Sequence, residues 1–196
     1  MNGDSGYSFL PQVFRNRGQV AHNKEIFDRL TRKFPLAEVK EPSYFSKESG
    51  GFYVIYNGHQ KKKVDVEREL AKLLADKGFI VRLFPEGDDY PQFAVDGKFK
   101  EGKIGRAWYE QKTPDNRDKG LKETLDHAHT KRADVAICYS PKGGFYEDND
   151  IERSIGRYKG QGHSHEEVKY LMIVNGKDQS VDIWDVDKTQ KVPPIR

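Results

Sequence analysis

The chain has 196 residues, of which 35% are hydrophobic, 12% aromatic and 33% charged, with a formal net charge of +3 and a pI near 8.7. That is enough for one substantial domain, or a domain with an appended segment, and the aromatics supply core volume that a disordered chain lacks. Cys138 is the single cysteine, which excludes an intramolecular disulfide and a cysteine-based zinc site. No apolar run approaches the roughly 18 residues of a membrane span, and no signal-peptide core follows Met1. We therefore expect no membrane segment and a chain acting in water in a reducing compartment, alone or as a domain of a larger protein. The mild basicity is compatible with nucleic acid without requiring it.

Residues 1–20 are rich in Gly, Asn and Ser, and read as an irregular lead-in docking through Phe9, Leu10, Val13 and Phe14. Ile26, Leu30 and Phe34 recur at helical spacing with Phe27 beside them, which predicts an amphipathic helix over 22–34 stopped by Pro35. Pro42 and Gly50-Gly51 mark 36–51 as a connection, and 51–56 read as a strand followed by the turn Asn57-Gly58. The basic run Lys61, Lys62 and Lys63 precedes the clearest helix, 64–77. There Val66, Leu70, Leu73, Leu74 and Lys77 form one stripe, and Gly78 sits where a terminating glycine belongs. Glu67 and Glu69 flank that stripe; either one leans over the edge of the sheet, or both pair with basic neighbours.

A strand over 79–84 is closed by Pro85, a short second strand over 91–95 turns at Asp96-Gly97, and a third spans 106–112 after a Lys/Gly-rich excursion. The short turns predict a meander. A polar loop over 114–120 leads to a helix over 121–131 with Leu121, Leu125 and Ala128 on one face. Residues 133–139 form an unalternating apolar strand, as expected where both faces are covered, and Cys138 within it reads as a buried small hydrophobe. A short helix over 148–158 turns Ile151 and Ile155 inward and carries Arg153 and Arg157, with Lys159, as a basic edge. A loop holding His163 and His165 leads to closing strands over 168–174 and 181–184, and the tail from 185 is expected to fray. The fold class is α/β, with a mixed central sheet of about five or six strands flanked by helices.

The chemistry centres on Trp108-Tyr109-Glu110-Gln111-Lys112-Thr113. Side chains two apart on a strand share a face, so Glu110 and Lys112 project together and Gln111 projects to the other side. A carboxylate beside an ammonium suits metal-assisted phosphodiester cleavage. Glu110 offers oxygen to a hard divalent ion, and Gln111 offers its backbone carbonyl. The ion polarises phosphate and acidifies water, while Lys112 orients water and offsets charge at the pentavalent centre. A carboxylate of the preceding strand is expected on the same side, with Glu67 or Glu69 reaching over. Glu-x-Lys alone is weak, since Glu101-Gly102-Lys103 is a second copy in a Gly/Lys-rich loop. The order of elements around Glu110 and Lys112 supplies the specificity.

In that order, with Pro91-Gln92-Phe93-Ala94-Val95-Asp96-Gly97 ahead of Tyr109-Glu110-Gln111-Lys112-Thr113, the chain resembles the PD-(D/E)xK nuclease superfamily. Within it, the chain is most similar to the nuclease toxin domains at the C-termini of contact-dependent inhibition and other polymorphic toxins; related modules occur in phage head proteins and mobile elements. Glu67, Glu69, Leu74-Ala75 and Gly78 match a helix of those domains, and Ala133-Asp134-Val135-Ala136-Ile137 matches a later segment. The resemblance spans roughly residues 64–184. It implies a restriction-endonuclease-like core, with 1–60 as lead-in and helix, 61–184 as the nuclease-like domain and 185–196 as tail. It implies a DNase or RNase dependent on Mg²⁺ or Mn²⁺, with tRNA a frequent target. It also implies action in the cytoplasm after delivery within a secreted or phage-borne protein, and an acidic immunity protein as partner.

The departure is Gln92, which stands where the family has Asp. Its amide oxygen lacks the charge. Asp88, Asp89 or Asp96 is a substitute, and Asp96 shares strand parity with Gln92, although it equally fits an ordinary Asp-Gly turn. The resemblance thus implies Glu110, Lys112 and Asp96 as catalytic residues. Its metal ligands are Glu110, Asp96 and Gln111 with Glu67 and Glu69; apart from the resemblance, the basic residues Lys61, Lys62, Lys63, Arg153 and Arg157 read either as contacts to nucleic acid or as a solvated charged face. Without a replacement carboxylate the domain is a weakened or inactive nuclease.

Two other readings stand beside it. A non-catalytic module on the same scaffold predicts salt-sensitive nucleic-acid binding without turnover. An interaction protein predicts no such binding even at low salt. Among the histidines, His127 and His129 diverge by about 200° on a helix and cannot chelate one ion together. His163 and His165 sit in a loop, where either offers metal binding or a base for a metal-independent RNase. No Ser-His-Asp arrangement, P-loop or GxGxxG after a strand is present.

Overall fold

The computed structural model describes residues 17–59, 64–85, 102–114, 117–144, 146–162 and 168–193. Lys61, Lys62, Lys63, Asp88, Asp89, the expected strand over 91–95 with Gln92, Asp96, His163 and His165 lie outside the described residues. The chain divides into two units, Met1–Ala107 and Trp108–Arg196.

The first unit holds α1 (Arg17–Lys33), β1 (Ser43–Phe45), β2 (Phe52–Ile55), α2 (Val64–Asp76), β3 (Ile80–Leu83) and β4 (Gly102–Ile104). β1 runs antiparallel to β2, β2 parallel to β3, and β3 antiparallel to β4. Two parallel neighbours need a crossover, and α2 provides it. All four β2 residues are buried, as an aromatic and β-branched strand covered on both faces should be. The buried stripe of α2 is Val64, Glu67, Leu70, Ala71, Leu74 and Ala75. This corrects the expected stripe: Val66 and Leu73 are half-buried and Lys77 is exposed. Ala71 and Ala75 favour close approach, and a Cβ on Gly51 would stand 2.1 Å from the Ala75 carbonyl oxygen. Only glycine lets the chain enter β2 beneath the end of α2.

α1 docks through Asn23, which donates to the Gly50 carbonyl at 3.0 Å, and through Phe27, whose ring lies 5.6 Å from Phe45 and 5.4 Å from Phe52. Phe34, expected on the packed face, is 38% exposed, with its ring edge-on to Tyr56 at 5.5 Å.

The second unit holds β5 (Ala107–Lys112), which starts at the last residue of the first, then α3 (Arg117–Thr130), β6 (Val135–Ser140), α4 (Asp148–Lys159), β7 (Tyr170–Asn175), β8 (Ser180–Asp185) and β9 (Gln190–Lys191). β5, β6 and β7 are parallel, with α3 and α4 as the crossovers, and β7, β8 and β9 are antiparallel. Leu121, Leu125 and Ala128 of α3 and Ile151, Ile155 and Tyr158 of α4 share one core with Ala136 and Cys138 of β6 and Leu171 and Ile173 of β7.

The architecture is α/β with mixed strand directions and four helices, as expected, but the described residues hold nine strands rather than five or six. The added ones are short. β1 lies in the expected connection and β4 in the expected excursion, each with three residues, and β9 has two. Such lengths are too brief to show alternation. The tail does not fray from 185: β9 pairs with β8, and the Val192 amide donates to the Ile183 carbonyl at 2.7 Å.

Candidate functional site

β5 is fixed against β6 by the register Glu110↔Ala136, Gln111↔Ile137 and Lys112↔Cys138. Register partners on adjacent strands point to the same face. Glu110 and Lys112 therefore share the face of Ala136 and Cys138, which α3 covers, and Gln111 shares the other with Ile137. The start of β5 is held by Asp134, whose carboxylate accepts from the Trp108 amide at 3.0 Å.

α3 returns above β5 and meets it twice. The Nε2 atom of His127 lies 3.3 Å from Oε2 of Glu110. The Nζ atom of Lys112 lies 3.5 Å from Oε2 of Glu123. Glu123 and His127 are one helical turn apart and flank the buried Leu121, Leu125 and Ala128 stripe. Two residues of spacing on the strand thus match four on the helix. Glu110 is 5% exposed, whereas the Lys112 side chain is 40% exposed and that of His127 is 39%. A buried carboxylate is roofed by an imidazole with a solvent side, next to an ammonium with a solvent side.

Glycine permits this approach. A Cβ on Gly120 would stand 2.5 Å from the Pro114 Cβ, so the first turn of α3 closes tightly after the strand. Thr124, also buried, donates to the Gly120 carbonyl at 2.7 Å. His127 and His129 point apart: His129 Nδ1 lies 3.0 Å from the Tyr158 hydroxyl on α4. Cys138 is fully buried, and burial pushes its thiol up to about 11 against hydrogen bonds to Tyr146 and Thr124. That makes it a core residue and an unreactive thiol at neutral pH.

Glu123 escaped the reading of the sequence, and His127 enters it only as a partner of His129, not of Glu110. The i, i+4 spacing of Glu123 and His127 was available, but it gains meaning only against a strand whose position is fixed by β6. Glu67 and Glu69 belong to the first unit. Glu69 is exposed. The Glu67 carboxylate, buried, is committed to Nε2 of His59, whose Nδ1 lies 2.8 Å from the Phe84 carbonyl oxygen. A carbonyl only accepts, so Nδ1 carries hydrogen, and the contact between Nε2 and Glu67 requires one further proton. Arg153 and Arg157 are exposed on α4, with Arg153 3.3 Å from Asp150.

The described residues offer a divalent ion one carboxylate oxygen and one imidazole nitrogen, at Glu110 and His127. Among the described residues no three His, Cys, Asp or Glu side chains form a metal-holding group. Of this donor pair only the Glu110 oxygen suits the oxygen ligands that Mg²⁺ prefers. No protein-family model, curated protein or solved structure matches the chain.

Proposed function

We propose that this chain is a divalent-metal-dependent nuclease domain that hydrolyses phosphodiester bonds of DNA or RNA, tRNA among them. It has a restriction-endonuclease-like core and is carried by a toxin or mobile-element protein, with an acidic immunity protein as its natural restraint. The observation that carries this reading is the shared face of Glu110 and Lys112 at the end of β5, one buried and one open to solvent. The chain order α2, β3, β5, α3, β6 is in keeping with the order that the resemblance implies, whose second strand, expected over 91–95, lies outside the described residues.

In this reading Glu110 anchors the ion, the Gln111 carbonyl is a further ligand, and Asp96 is the candidate for the charge missing at Gln92. A divalent ion there supplies positive charge to the phosphodiester and acidity to water. Lys112 leaves Glu123 to meet the phosphate, where its ammonium offsets charge that develops at phosphorus. Holding both groups on a strand fixed between α3 and β6 keeps them positioned without reorganisation. A binding module without turnover is the second reading, favoured by the exposed guanidinium groups of Arg153 and Arg157 on α4.

Plasmid DNA and tRNA incubated with the chain in Mg²⁺, Mn²⁺ or EDTA test the proposal. Cleavage that needs the ion supports it. Undiminished cleavage in EDTA ends the metal-dependent reading, and salt-sensitive binding without cleavage leaves the binding module.

A further inference from the structure

The pairing of His127 with Glu110 is used by none of the roles above. We propose that Glu110 and His127 together form a mixed oxygen–nitrogen site for a first-row transition-metal ion, which the site takes in preference to Mg²⁺. The inference rests on the reading of Glu110 as a metal ligand and gives that site a second protein ligand on α3.

The first support is distance. Metal bonds to carboxylate oxygen and imidazole nitrogen are about 2.0–2.2 Å long, so two such atoms on one ion stand about 3.0–3.5 Å apart between right-angled and tetrahedral arrangements. Oε2 of Glu110 and Nε2 of His127 are 3.3 Å apart. The second is access. Glu110 is buried beneath α3, but the His127 side chain is 39% exposed, so the pair lies at the solvent edge of the unit and not deep in its core. The third is rigidity. One donor sits on a strand in register with β6, and the other on a helix whose first turn is locked against Pro114. The fourth is the neighbour: Lys112, two residues along the strand, is paired with Glu123, one turn along the helix, which offsets a positive charge that would otherwise repel the ion.

Ligand chemistry sets the selectivity. Mg²⁺ takes hard oxygen donors and dehydrates reluctantly, whereas imidazole favours later first-row ions. His127 therefore tilts the site away from Mg²⁺. An ion pair between His127 and Glu110, serving only to cover a buried carboxylate, has the same contact but no ion selectivity.

Co²⁺ is the probe. It is titrated into the chain and into His127→Ala, Glu110→Gln and His127→Asp, followed by visible absorption and by competition with Mg²⁺, with circular dichroism melts in EDTA to verify folding. The expected result is one Co²⁺ per chain, at least about tenfold tighter than Mg²⁺ and weakened about 10- to 100-fold in His127→Ala and Glu110→Gln. His127→Asp substitutes oxygen for nitrogen, so it retains binding and loses the preference over Mg²⁺, which a merely structural histidine would not produce. Equal Co²⁺ affinity in the unaltered chain and His127→Ala overturns the proposal, as does absence of Co²⁺ binding or of preference over Mg²⁺. The nuclease reading fails separately. Co²⁺ bound in this manner without cleavage of DNA or RNA leaves the site standing and removes the nuclease. Cleavage in Mg²⁺ indifferent to His127→Ala, with no Co²⁺ preference, does the reverse.

Discussion

His127 on α3 stands 3.3 Å from the carboxylate of Glu110 on β5. A buried carboxylate needs a partner, and here the partner comes from the helix that forms the β5–β6 crossover. The position of α3 therefore governs the site, and Gly120 governs the position of α3. Gly120→Ala places a methyl 2.5 Å from the rigid Pro114 ring. Despite the better helix propensity of alanine, a net loss of about 1–2 kcal/mol is expected. Urea unfolding measures it; a gain near 1 kcal/mol, the propensity effect alone, would show that the contact relaxes freely.

The first unit has its own buried ionisable pair. Removing one member of His59 and Glu67 strands the other in an environment where both are 5% exposed. Glu67→Leu and His59→Phe are each expected to cost about 3–5 kcal/mol, and the double variant less than the sum of the two. Chemical denaturation of the four proteins closes the cycle. Strict additivity would mean that the pair is not coupled.

Alkaline pH should weaken the fold in a defined window. Burial raises the Cys138 thiol from 9.0 to about 11, so the native state holds a proton that the unfolded chain releases earlier. The contribution is intact below pH 9 and is lost as pH rises toward 11, a total of about 2–3 kcal/mol. Tyr53, pushed up to about 12 by burial, acts in the same direction at higher pH. Unfolding free energies from pH 8 to 11 should fall less steeply in Cys138→Ala than in the unaltered chain; parallel curves would remove the thiol from the account.

Long periodic elements were legible from the residues. α2, α4 and β6 announce themselves by apolar spacing, and the parity of Glu110, Gln111 and Lys112 follows from strand geometry alone. The short strands β1, β4 and β9 were not legible, because two or three residues carry no period. Glu67 illustrates a subtler limit. It lies on the buried face of α2, where a carboxylate is costly, and its partner His59 comes from a turn five residues before the helix. Glu123 and His127 read as two polar positions of a helix until β6 fixes β5 beneath them. Pairings of that kind depend on packing between elements, which spacing within one element does not encode.

Cleavage of DNA and tRNA by the unaltered chain, Glu110→Gln and Lys112→Ala, compared in Mn²⁺ at matched circular dichroism, tests the central claim most directly. The proposal predicts ion-dependent cleavage by the unaltered chain and a rate at least about 10²-fold lower in each variant. Cleavage that persists in EDTA, or an unchanged rate in either variant, would contradict it.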